Sequence, residues 1–290
     1  MASSSRDRIA ITAFAGWNDA GGAATDAVEH LAALWEAELV AEQDPEDYYD
    51  FQVMRPRFIA DGTGRELLWP KTRAFLAETP DQQEILLIDG IEPSMRWREF
   101  TAELLALFDE FDVGLLISVG ALLADVPHTR PIPVTATSAS TEVRIRYGVE
   151  RSDYTGPTGI VGVLEHLAFH DEDLPSMSLW AAVPHYVVAS PPSPKAVIAI
   201  LNKLGELLDE DIDLGDLPNE AVKWQESIDS MAEEDRELAG YIAQLEAAKD
   251  AVDSPEASGE ALAREFQRFL EGHHGKNPGD PSPPGRPPKG

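Results

Sequence analysis

Residues 8–39, RIAITAFAGWNDAGGAATDAVEHLAALWEAEL, read in succession as strand, glycine-rich turn and helix. RIAITAFA, residues 8–15, is apolar and β-rich. In the segment from residue 25 to 39, Val28, Leu31, Leu34 and Trp35 fall at helical spacing. The same alternation continues along the chain. EILLID at residues 84–89 and VGLLISV at 113–119 have the length and apolar character of buried strands. Between them, Phe100, Leu104, Leu107, Phe108 and Phe111 share one helical face, a strand, helix, strand unit that implies a right-handed parallel crossover. Residues 53–59 and 67–69 flank the turn signal Asp61-Gly62-Thr63-Gly64, which predicts a hairpin. A strand at 132–136, a helix at 159–169, a strand at 177–183 and a helix at 195–208 follow. This order predicts a layered α/β domain, three layers with a largely parallel sheet, over residues 1–215.

Beyond Pro218 the pattern becomes purely helical. Trp224, Ile228, Met231, Asp235, Leu238, Ile242, Leu245, Lys249 and Val252 alternate in spacings of four and three. This seam predicts either one long helix or a hairpin broken near Asp235 within an acidic helical region, residues 216–271, that packs on the core or on a second subunit. Trp224, Ile228, Met231, Leu238, Ile242 and Leu245 are its candidate contact residues, and a homo-oligomer is expected. A short amphipathic helix is predicted at 257–270, and the proline- and glycine-rich residues 272–290 are expected to be disordered.

Composition narrows the chemistry. The 290 residues hold 23 Lys plus Arg against 52 Asp plus Glu, a net charge of −29, and no cysteine. Disulfides, thiolate nucleophiles and cysteine-ligated metals are therefore excluded. So much negative charge disfavours nucleic acid and anionic membranes as partners. The polar start, lacking an apolar signal core, and the lack of an apolar run of roughly 18 to 20 residues predict a cytoplasmic protein. Residues 201–271 carry 20 acidic and 6 basic side chains, nearly half of the net charge.

Two glycine-rich turns precede helices and offer backbone N–H groups to an anion: Gly16-Trp17-Asn18-Asp19-Ala20-Gly21-Gly22 and Tyr154-Thr155-Gly156-Pro157-Thr158-Gly159. Each also has a structural reading, with Asn18 or Asp19 capping the first helix and Thr158 capping the second. Gly16, Asn18, Asp19, Gly21, Thr155, Gly156, Thr158 and Gly159, together with His128 and His185, are the candidate ligand-site residues for an anionic or nucleoside-like molecule. His166 and His170 lie four residues apart on a predicted helix, but Glu165 precedes His166 and the HExxH order fails, so no metal is expected. Lys and Ser/Thr do not follow Gly21 as a phosphate-binding loop requires, GxGxxG is absent, and Leu116 stands where GxSxG needs glycine. No cofactor is expected.

Taken in order, Ala15-Gly16-Trp17-Asn18-Asp19-Ala20-Gly21, Gly120-Ala121-Leu122, Pro127-His128-Thr129-Arg130-Pro131, residues 154–159 and Pro184-His185-Tyr186 resemble the PAC2 family of proteasome assembly chaperones, in its actinobacterial branch. The resemblance spans about residues 8–215. It implies a phosphorylase/hydrolase-like α/β fold, self-association and a non-catalytic role as chaperone or adaptor, with proteasome subunits as partners. Chaperones of this group can dock through a C-terminal hydrophobic-Tyr-any-residue tail. Here the sequence ends Pro288-Lys289-Gly290, which leaves the helical region or a sheet edge as the contact surface. The family is also labelled ATP-dependent carboxylate–amine ligase. A small-molecule or nucleotide-binding enzyme using the glycine-rich turns is accordingly the alternative function.

Overall fold

The strand that opens the quoted segment lies at the middle of a seven-stranded sheet. A computed structural model describes residues 8–60, 62, 64–187 and 192–253. In chain order the first half holds β1 (Arg8–Ala15), α1 (Ala23–Leu34), β2 (Glu38–Glu42), β3 (Arg57–Ala60), β4 (Arg65–Leu68), β5 (Arg73–Glu78), β6 (Glu84–Ile91), α2 (Trp97–Glu110) and β7 (Val113–Ala124). The second half holds β8 (Val134–Thr137), α3 (Thr141–Tyr147), α4 (Ile160–Asp171), β9 (Ser176–Pro184), α5 (Pro194–Leu208), α6 (Leu217–Glu234) and α7 (Arg236–Asp253).

The sheet order is β2-β5-β6-β1-β7-β9-β8, and β6, β1, β7 and β9 are parallel. Ile9, Ile11 and Ala13 point from β1 into one apolar layer with residues of α1, α5 and α6. Ala10 and Phe14 point into the other, with residues of α2 and α4. A strand buried on both faces is the mark of a parallel sheet covered by helices on each side, and the result is the expected three-layer α/β fold. Fully burying a side chain the size of Ile11 or Phe14 contributes about 1.5–3 kcal/mol.

Several elements depart from the sequence reading. The first helix ends at Leu34, because Trp35 closes its last turn and Glu36 takes a left-handed φ of 48°. Residues 38–42 then form an edge strand instead of continuing the helix. β5 carried no recognised signal, and both β5 and β8 pair antiparallel with their neighbours. β6 and β7 do not touch, since β1 lies between them and α2 crosses over it. β3 and β4 form the expected hairpin, a small sheet of their own.

The helical region is a pair of helices broken at Asp235. That residue occupies a seam position because its carboxylate accepts from the N–H groups of Glu237 and Leu238 at 2.9 and 3.2 Å, capping α7. Trp224 and Ile228 of α6 belong to the same apolar cluster as β1 and α5, and Ile242 of α7 is buried. The seam thus turns inward at these three positions, while Met231 is exposed and Leu238 and Leu245 are half-buried. The amphipathic segment at 257–270 and the tail at 272–290 lie outside the described residues. Among the described residues no helix is long and apolar enough to cross a membrane.

Because Ile228 is fully buried in the cluster that contains β1, Ile228→Ala is expected to destabilise the whole α/β domain by about 2–4 kcal/mol. Urea denaturation followed by tryptophan fluorescence and far-UV circular dichroism measures this. Coincident transitions at a lower midpoint are the expected result.

Candidate functional site

The turn after β1 is closed from within. Asp19 Oδ1 accepts from Ala24 N at 2.7 Å, and Oδ2 accepts from Thr25 N at 3.2 Å and from Thr25 Oγ1 at 2.5 Å. These amides belong to the first turn of α1, whose N–H groups have no partner within the helix. The carboxylate satisfies them, helped by left-handed φ values of 69° and 71° at Gly21 and Gly22 that bend the chain back. Burial raises the Asp19 pKa, while the three hydrogen bonds act in the opposite direction.

The second turn is closed in the same way, by a residue that sequence reasoning passed over. Glu92, just beyond β6, accepts on Oε1 from Ile160 N at 2.9 Å and from Asn18 Nδ2 at 2.7 Å. One carboxylate therefore caps α4 and ties the two glycine-rich turns together. The residue before α4 is Gly159, and an added Cβ there would lie 2.2 Å from Asn18 Oδ1 and 2.6 Å from Glu92 Oε1. Thr158 makes no capping bond. The expectation that it caps the helix is corrected: Glu92 does so across 68 residues of sequence. Thr155, Gly156 and Thr158 are exposed, and Tyr154 Oη donates to Pro157 O at 2.8 Å.

His128 and His185 sit elsewhere, under the C-terminal helices. His128 is fully buried. Its Nδ1 is 2.9 Å from Tyr186 Oη, its Nε2 is 3.0 Å from Asp229 Oδ1 of α6, and its carbonyl accepts from Lys195 Nζ. Burial pulls its pKa down, with Asp229 opposing. Next to it, Thr129 Oγ1 donates to Glu246, and Arg130 makes a bidentate pair with Asp250 at 2.8 Å on both arms. His185 Nδ1 lies 3.2 Å from Asp125 Oδ1, which also accepts from Tyr241 Oη at 3.1 Å. Both histidine segments thus fasten α6 and α7 to the carboxyl ends of β7 and β9. Asp19, Thr158, His128 and His185 do not converge on one ligand.

Asp19 and Thr158 border an open cleft of about 1960 Å³ that runs past Trp17, Leu122, Trp180, Glu165 and Phe169, and neither His128 nor His185 lines it. Arg98 is its sole Lys or Arg among the described residues, against Asp19, Asp109, Glu165, Asp171 and Glu172. The cleft is aromatic and acidic, which suits an apolar group bearing positive charge rather than a phosphate. Glu165 is half-buried, and burial pushes its pKa up to about 7, with a hydrogen bond from Ser178 pulling the other way. His166 and His170 are exposed with ring centroids 4.5 Å apart, and among the described residues no group of three or more His, Asp or Glu is placed to hold a metal.

Two outcomes follow from this geometry. His128→Ala leaves buried partners unpaired and is expected to cost about 2–4 kcal/mol and to expose α6 and α7 to limited proteolysis. Glu165 titrates near 4.5 in the unfolded chain and near 7 in the fold. Above pH 7 the native state holds an unfavourable buried carboxylate, and this cost disappears as pH falls from 7 to 4.5. Glu165→Gln should therefore be more stable than the parent by about 1–2 kcal/mol at pH 8, a figure reduced for partial exposure, and equal to it near pH 4.5. Urea midpoints measured across that range check the sign.

Asn18, Asp19, His128, Arg130 and His185 belong to the motif series, whereas Glu92 and the carboxylates of α6 and α7 that complete these contacts lie outside it; comparison with known proteins gives their context. The family model for PAC2 matches residues 13–232. The chain is similar to a PAC2 family protein from Streptomyces avermitilis, with 47% identity and a TM-score of 0.76 over 81% of this chain and 99% of that one. It is also similar to a Mycobacterium tuberculosis proteasome-assembly chaperone homologue, with 46% identity and a TM-score of 0.72 over the same shares. An archaeal proteasome activator from Pyrococcus furiosus shares the fold at 21% identity, with a TM-score of 0.63 over 80% of this chain and 96% of that one. No curated protein matches the sequence. With the family match covering most of its length and both helix-start turns inside it, the chain belongs to the PAC2 family.

Proposed function

We propose that this chain is a cytoplasmic, homo-oligomeric assembly chaperone that acts on proteasome subunits through protein contacts and catalyses no reaction of its own. The observation that carries this reading is the filling of both glycine-rich helix starts by Asp19 and Glu92. An enzyme that binds phosphate leaves such N–H groups open to its ligand, whereas here they hold the protein's own turns. His128, the other candidate for chemistry, is spent on Tyr186 and Asp229.

The remaining features are surfaces. The stretch 201–271 is strongly acidic, and with Trp224 and Ile228 turned inward its carboxylates suit a partner with a basic face. Similarity to a proteasome-assembly chaperone homologue at 46% identity supports the class of partner.

Affinity purification of the tagged full chain from its native cells, with mass spectrometry of what co-purifies, tests the proposal. Stoichiometric recovery of proteasome α subunits, and slowed proteasome assembly when the chain is deleted, are expected. Their absence together with normal assembly would overturn it, and strong thermal stabilisation by ATP, a nucleoside or phosphate would favour the ligand-binding alternative.

A further inference from the structure

Thr12 of β1, Ser118 of β7, Ser178 of β9 and Thr137 of β8 are register partners on four adjacent strands. Paired residues point to the same face of a sheet, so their hydroxyls form one row across it, on the face that α2 and α4 cover. Thr12 and Ser118 are fully buried, and Ser178 is 4% exposed. Thr12 Oγ1 lies 3.3 Å from Ser118 Oγ, and Ser178 Oγ lies 3.2 Å from Thr137 Oγ1. Ala10, Phe14 and Leu116, which β1 and β7 turn to the same layer, are apolar. Burying a hydroxyl there costs free energy unless it finds a partner, and the sheet ladder itself calls for none.

The outer end of this row opens into the cleft. Ser178 and Thr137 line it together with Trp180 and with Glu165 of α4. Ser178 donates to the Glu165 carboxylate, no Lys or Arg among the described residues pairs with that carboxylate, and burial holds its pKa up to about 7. The Trp180 ring lies against bare backbone, since a Cβ added to Gly120 would be 2.6–2.9 Å from three of its ring carbons. One end of the cleft thus has a carboxylate without a countercharge, two hydroxyls joined to it, and an indole beside them.

We infer that this end of the cleft binds a primary ammonium group carried on an alkyl stem. An ammonium has three N–H donors, and the Glu165 carboxylate, Ser178 Oγ and Thr137 Oγ1 are three acceptors already grouped by their own hydrogen bonds. A quaternary ammonium has no donor for either hydroxyl, and a guanidinium spreads its donors in one plane. The indole gives the stem an apolar wall and the cation a π face. A bound cation also favours the charged form of Glu165 that burial opposes. The rest of the open cleft, about 1960 Å³ in all, leaves room for the carrier of the stem, a free alkylamine or a lysine of a protein partner. Binding alone is involved, with no bond made or broken, and the site stands whether or not the chain acts on proteasome subunits.

Ligand-observed NMR titrations of the full chain near neutral pH test the site, with n-butylamine and a blocked glycine–lysine–glycine peptide as probes. Saturable binding is expected, and the tighter probe identifies the source: butylamine a free amine, the peptide a lysine side chain. Glu165→Gln should weaken that binding at least about tenfold, the loss of a charge-assisted hydrogen bond. This variant keeps the shape of the side chain and is expected to be at least as stable as the parent, so an unchanged or raised urea midpoint separates lost binding from lost fold. Butyltrimethylammonium, the same stem without an N–H donor, should bind at least about tenfold more weakly than butylamine. No saturable binding of either probe, binding that Glu165→Gln leaves unchanged, or equal binding of butyltrimethylammonium would overturn the site.

Discussion

From Ile9 to Phe14 no side chain of β1 faces water. Its backbone is satisfied by β6 and β7, parallel on either side, and its side chains need a helical layer above and below. The placement of α1 and α5 on one face and α2 and α4 on the other is the answer to that demand. Parallel neighbours also set where the chain can turn. The turns after β1, β6, β7 and β9 emerge at one edge of the sheet, and residues far apart in sequence meet there.

At that edge the protein uses its carboxylates on itself. Asp19 reaches forward to α1, and Glu92 joins the start of α4 to Asn18. In an α/β protein this is the usual place for a ligand, so internal capping at both helix starts is informative about function. Beyond the same edge, His128, Arg130 and His185 receive the C-terminal helices. Asn18, Asp19, His128, Arg130 and His185 are here fasteners, and what the last three fasten is an acidic surface. The apolar seam of α6 and α7 is partly consumed in the process, leaving the hairpin and the cleft as the large uncovered features.

Much of the fold was legible because its signals are local. β1, β6, β7 and β9 stand out as uninterrupted apolar runs, and α2 and α5 as amphipathic periods, since each is buried continuously or along one stripe. β2 and β5 were missed because the edge strand β2 and its neighbour β5 are short and only partly buried, so that their patterns do not differ from a loop. The helix break at Asp235 was one of two readings, and the choice between them depended on whether α7 had something to fold back against. The candidate site was legible residue by residue and misleading as an assembly: Asp19 was singled out, yet the role of Glu92 depends on Asn18 and Ile160, 74 and 68 residues away.

Periodicity, charge and the order of short motifs were enough, without coordinates, to settle the α/β class, the acidic helical region and the family, because each is a property of neighbouring residues or of their sequence. Only the tertiary structure decided that the two glycine-rich turns are filled by Asp19 and Glu92 and that His128 clamps Asp229, 101 residues distant. Hydrogen bonds of that kind depend on which strand ends the sheet brings together. Strand order is set by how whole layers pack, and no local pattern encodes it.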